Sequence, residues 1–166
     1  MKLILMRHAE AEEFDPLQHA EDSQRPLTKA GIKVQCKLAG ALRCMGLKPA
    51  RILTSPRLRA RHTAEITAAA LGLEQELRES PVLGDGYSSV ALFKLLAECD
   101  EDETVLCVGH EPDLSEFFGA AVGCVGSINI KFVKSGVLGI KFDGKPKPGM
   151  GKLIYFYRPQ ELIALS

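Results

Sequence analysis

The sequence predicts an α/β protein, a three-layer sandwich on a mostly parallel central sheet, and three observations lead there. Short, largely apolar runs occur at residues 2–6 ("KLILM"), 50–53 ("ARIL") and 104–108 ("TVLCV"), the pattern of strands buried on both faces. Segments with helical periodicity lie between and after them. Strands alternating with helices build parallel sheets covered on both sides. At 166 residues the chain suits one compact domain spanning 1–166, with no repeat or long linker to divide it.

Taken in order, residues 2–6 form the first strand, and the polar, aperiodic stretch 9–26 is a long loop of the kind that often carries function. Thr28 is a plausible N-cap; Ile32, Cys36, Ala39 and Leu42 recur at helical spacing until Gly46, which stops the helix. Residues 50–53 are the second strand. Ser55-Pro56 then supplies a cap and a first-turn proline for a helix reaching about Leu71. Residues 87–97 read as helix, 104–108 as the third strand, and 112–122 as helix. Residues 137–142 and 153–157 form an antiparallel pair joined by the Gly-, Pro- and Lys-rich loop "DGKPKPGMGK".

Bulk composition narrows the classes of function. Formal net charge is zero, which argues against a broad nucleic-acid face or a polybasic membrane surface, though a local cation cluster remains open. No apolar run approaches the roughly 18 residues of a membrane span. Five cysteines, an odd number with no C-x-x-C pair, read as reduced, mostly buried thiols of a cytoplasmic protein. A monomer is expected. The lysines Lys141, Lys145, Lys147 and Lys152 read as a soluble loop or a steering group for an acidic partner.

Ligands of open α/β sheets bind outside the carboxyl ends of the strands. The first strand ends at Arg7-His8, the second at "TSPRLRARHTA" and the third at "VGH", so three strand ends carry arginine and histidine to one edge. Such a cluster suits a phosphoryl dianion, whose oxygens match guanidinium forks. Helical periodicity chooses among the arginines: Arg57 and Arg61 share a polar arc with Glu65, whereas Arg59 falls with Ile66 and Ala70 on the apolar side. An inward cation needs an anion, and both a protein carboxylate and a ligand phosphate satisfy that need.

The motifs "LMRHAE", "SPRLRARHTA" and "VGHEP" resemble the three signatures of the histidine phosphatase superfamily, the phosphoglycerate mutase-like fold. The short length, "RHA" and "RPLTKAG" (residues 25–31) are similar to its SixA-type phosphohistidine phosphatase branch. The resemblance spans residues 2–122. It implies that His8 is a nucleophile forming a phosphohistidine, that Arg7 and Arg59 bind phosphate, that His110 is the second active-site histidine, and that Arg25 is a further phosphate contact. It also implies chemistry without a metal or other cofactor. His19 and His62 are ordinary polar residues by context.

Larger relatives carry a glutamate general acid after the middle helix. Here that region reads "EQELRESPVLGDGYSS", a poor match, and Glu79 and Asp85 suit surface solvation. An alkoxide needs a proton to leave, whereas imidazole departs readily, so a missing acid favours phosphohistidine on a partner protein over a phosphoester. The absence of a lid-sized insertion favours an open site and the same substrate. The alternatives are a broad small-molecule phosphomonoesterase and a phosphate-binding module without turnover. Glu111 beside His110 predicts a raised histidine pKa. A D-x-D-x-T match at 100–104 precedes a strand instead of following one and reads as a turn.

Overall fold

The structure, a computed structural model, describes residues 1–17, 19–124 and 130–165. Among them six strands form one sheet: β1 (Lys2–Arg7), β2 (Arg51–Thr54), β3 (Leu77–Glu79), β4 (Thr104–Gly109), β5 (Val137–Lys141) and β6 (Lys152–Tyr157). Their spatial order is β3-β2-β4-β1-β5-β6. The first four run parallel, β5 lies antiparallel to β1, and β6 antiparallel to β5. The helices are α1 (Lys29–Cys44), α2 (Leu58–Leu71), α3 (Ser89–Ala97), α4 (Asp113–Val122) and α5 (Pro159–Ala164). None is long and apolar enough to cross a membrane.

Strand β1 shows why the sandwich has three layers. Side chains alternate across a strand, and here both faces are buried. Leu3 and Leu5 join the core of α3 and α4, with Leu92, Leu96 and Phe117. Ile4 and Met6 join the core of α1 and α2, with Leu38, Leu42, Ala60 and Ala64.

The inward stripe of α1 keeps the expected Ala39 and Leu42, but in its first half Gly31 and Gln35 are buried in place of Ile32 and Cys36, and Leu38 joins them. A polar Gln35 can lie inside because its amide donates to Thr67 Oγ1 (2.9 Å) and its carbonyl accepts from Ser135 Oγ (2.9 Å). Cys36 and Cys44 face outward, so the cysteines are not mostly buried. Cys99 and Cys107 are buried and Cys124 is exposed; all are free thiols. Helix α2 begins at Leu58 with Arg57 as its cap, two residues later than expected, although the Ser55 hydroxyl still accepts from Arg57 N–H. Strand β3 and helix α5 are too short, at three and six residues, to leave a periodic signal.

Candidate active site

The parallel register brings the three motif ends together. Arg7 is opposite Gly109 across β1 and β4, and Thr54 is opposite Val108 across β2 and β4. His8 N–H donates to Gly109 O (3.1 Å) and Ser55 N–H to Val108 O (3.0 Å). His8, Ser55 and His110 therefore stand one residue beyond the carboxyl ends of three adjacent strands. The His8 and His110 rings, both buried, have centroids 5.1 Å apart.

Each ring has one nitrogen committed to the protein. His8 Nδ1–H donates to its neighbour's carbonyl, Ala9 O, at 2.7 Å, which leaves Nε2 for chemistry. His110 Nε2 lies 2.8 Å from Ser55 Oγ, and its Nδ1 is buried with no hydrogen-bond partner among the described residues. Burial, partly opposed by the Ala9 contact, and then the charges of Arg59, Arg7 and Lys134 push His8 down to about 3. Burial, His8 and Arg59 likewise push His110 down to about 3. Both imidazoles are neutral at pH 7. The expected lift from Glu111 is absent: its carboxylate accepts from Ser115 Oγ and bears on Arg7 instead.

Arg59 faces inward and is buried, as the periodicity requires. Its Nη1 donates to Asp22 O (2.8 Å) and its Nη2 to Asp22 Oδ2 (3.0 Å). Arg7 Nη1 donates to Phe132 O (2.7 Å). The Nε–H of each arginine is buried and unpartnered among the described residues. Burial lowers the pKa of both guanidiniums, yet a guanidinium is so strong a base that both keep their charge at neutral pH.

Arg25 stands one layer back. Its Nε donates to Asp22 Oδ1 (2.7 Å) and its Nη1 to Glu12 O (2.6 Å), so it braces the carboxylate that holds Arg59. Burial alone would raise the Asp22 carboxyl; Arg59 and Arg25 together keep it below the usual carboxylate range. Asp85 is paired with Arg57 and Glu79 with Arg61 (3.5 Å), both on exposed side chains. His19 is more enclosed than its sequence context suggests, 3.6 Å from Glu12, while His62 is half-buried on α2.

Several site residues escape sequence reasoning. Thr63 Oγ1 donates to Arg59 O (2.6 Å) and accepts from Ala9 N–H (3.0 Å), tying the segment after His8 to the helix that carries Arg59. Asp22 sits three residues before Arg25, an ion-pair spacing that could have singled it out. "RPLTKAG" works as an anchor: Thr28 N–H donates to Glu10 O (3.0 Å), Ala11 bridges to Leu27, and any side chain at Gly31 would collide with the Glu10 carbonyl. Among the described residues no group of three or more His, Cys, Asp or Glu side chains could hold a metal ion.

The sequence profile of the histidine phosphatase superfamily (branch 1) matches residues 3–82. Phosphohistidine phosphatase SixA of Escherichia coli is 31% identical over 147 residues, which cover 86% of each chain. The chain belongs to the histidine phosphatase superfamily. Another relative, an uncharacterised protein of Picosynechococcus, is 40% identical over 149 residues, covering 85% of each chain. Among solved structures, the protein histidine phosphatase SixA complexed with tungstate superposes with a TM-score of 0.79 at 28% identity, covering 98% of this chain and 99% of that one. The six-stranded sheet flanked by helices is thus the superfamily's fold, and the chain is a SixA-like hydrolase of this superfamily.

Proposed function

We propose that the protein is a phosphatase that works through a phosphohistidine on His8 and removes the phosphoryl group from phosphohistidine on a partner protein. One observation carries this reading. Three buried donors without partners among the described residues, Arg7 Nε, Arg59 Nε and His110 Nδ1, accompany a neutral imidazole whose Nε2 is left to react. Unsatisfied buried donors are costly, and a phosphoryl group offers the acceptors that would satisfy all three.

The chemistry then balances in two steps. The His8 Nε2 lone pair forms a bond to phosphorus while the bond from phosphorus to the leaving imidazole breaks. The leaving nitrogen keeps the electron pair and takes a proton from solvent. Water next attacks phosphorus, the bond to Nε2 breaks, and inorganic phosphate departs with His8 neutral again. Arg7 and Arg59 hold the equatorial oxygens, where charge accumulates. In this reading Ser55 donates to His110 Nε2, 2.8 Å away, so the ring's one proton sits on the unpartnered Nδ1 and serves the phosphoryl group.

The state of the carboxyls supports the substrate. Asp22 is held ionised between two arginines and is no ready acid, while Asp85 and Glu79 are engaged by Arg57 and Arg61 on exposed side chains. A leaving imidazole tolerates that; an alkoxide does not. The name of the SixA relative, a phosphohistidine phosphatase, agrees. A phosphomonoesterase would lean on Asp113 at the start of α4, whose carboxyl is raised by burial and by Glu116.

Phosphohistidine peptide, aryl phosphate and phosphoserine peptide compared side by side test the reading. The first is expected to lead in kcat/KM, with an acid-labile phosphoenzyme that His8→Ala abolishes. A faster phosphoserine reaction that Asp113→Asn cripples would replace it with the esterase, and phosphate binding without any phosphoenzyme would reduce the protein to a binding module.

A further inference from the structure

Beside His8 the surface opens into a cleft of about 480 Å³, and Arg7 forms part of its wall. Its charged lining is one-sided. Lys131, Lys134 and Arg158 join Arg7 there, against the single carboxylate of Glu10. Lys131, Lys134 and Arg158 are exposed, and among the described residues no salt bridge engages any of them. Lys134 is near enough to the nucleophile to depress the His8 pKa, so cleft and reaction centre share one electrostatic field. Between the cations lie Val34, Val133 and Pro159. The lysines considered from sequence are placed elsewhere: Lys152 pairs with Asp143 (2.7 Å), and Lys145 donates to Cys99 O.

We propose that this cleft docks an acidic segment of the substrate protein, lying beside the residue whose phosphoryl group His8 receives. This rests on the reading of the substrate as a phosphoprotein. Three features select a polypeptide over a second phosphate. The cations sit on three separate stretches of chain, all but Arg7 are exposed to solvent, and apolar side chains lie among them. A polypeptide's carboxylates and apolar side chains match that mixture, whereas a compact phosphate would leave the apolar wall unused. Opposed fields of this kind raise association rates and fade with salt.

The test compares two phosphohistidine peptides of equal length, one with Asp and Glu flanking the phosphorylated residue and one with Asn and Gln there. On the wild-type protein the acidic peptide is expected to be favoured about tenfold in kcat/KM at low salt, with the preference shrinking as salt screens the charges. In the double variant Lys131→Glu, Arg158→Glu the preference is expected to vanish while aryl phosphate turnover stays unchanged. Equal rates on the two peptides, or a preference that survives in the variant, would overturn the proposal. A small bisphosphate that outcompetes its monophosphate in wild type but not in the variant would overturn it in favour of a second phosphate. Fluorescence anisotropy with the unphosphorylated peptides separates the two readings. If neither phosphopeptide is hydrolysed, the substrate reading fails. The cleft then stands if the acidic peptide binds wild type more tightly than the variant, and falls if it does not.

Discussion

A neutral imidazole donates through one nitrogen only, so the position of the proton on His110 decides whether it can serve a phosphoryl oxygen. Ser55 sets that position from a strand end 55 residues away in sequence. Its hydroxyl also accepts from Arg57 N–H at 3.3 Å, an arrangement that favours donation of its own proton to His110. Ser55→Ala is expected to lower kcat roughly 10²-fold, the scale of a lost transition-state donor, with little change in KM. Nitrogen-15 chemical shifts of His110 would read Nδ1 protonation in the wild type and a tautomer mixture in the variant; an unmixed ring in the variant would remove Ser55 from the mechanism. The inward turn of Arg59 is legible from the sequence because a helix has a fixed angular step. The charge state of His110 is not, because its desolvation and its neighbours His8 and Arg59 come from other parts of the chain.

Among the elements, α2 is joined to the segment that follows His8 by side-chain hydrogen bonds as well as by packing. Thr63 and Thr67 each return a hydrogen bond to the carbonyl four residues earlier, and each also accepts from outside the helix, from Ala9 N–H and Gln35 Nε2. Ser135 extends this buried chain to the segment before β5. Thr63→Val keeps the shape but orphans the Ala9 N–H, a loss expected to cost about 1–3 kcal/mol in denaturant unfolding. It should also lower kcat on aryl phosphate, because Arg59 and His8 lose their shared reference point. Unchanged kcat with the stability loss intact would confine Thr63 to a structural role. The principal strands and helices are readable from apolar runs and caps, since each buries enough surface to show a period. Where a polar residue is buried with full hydrogen bonding, as at Gln35, the pattern misleads by one position.

At the level of the whole molecule, the buried histidines couple stability to pH. His8 and His110 have folded-state pKa values of about 3, below the ordinary 6.5, so the unfolded chain binds more protons in between. Their contribution is complete above pH 6.5 and is lost as pH falls toward 3; the depressed Asp22 carboxyl acts in the same direction. Thermal unfolding from pH 7 to 4 should show a falling Tm, and His8→Asn, His110→Asn should flatten the slope below pH 6.5. An unaltered slope in that variant would mean that other groups dominate. The three-layer fold is visible in the order of strands and helices alone. Asp22 and Ser55 enter the site only through its three-dimensional closure. That closure has a temporal side. His8 and His110 meet only when β1 pairs with β4, joining stretches about a hundred residues apart, and contacts so distant in sequence form slowly. During refolding, helices can therefore be present while the protein is catalytically silent, and activity marks the completion of the central strand pair.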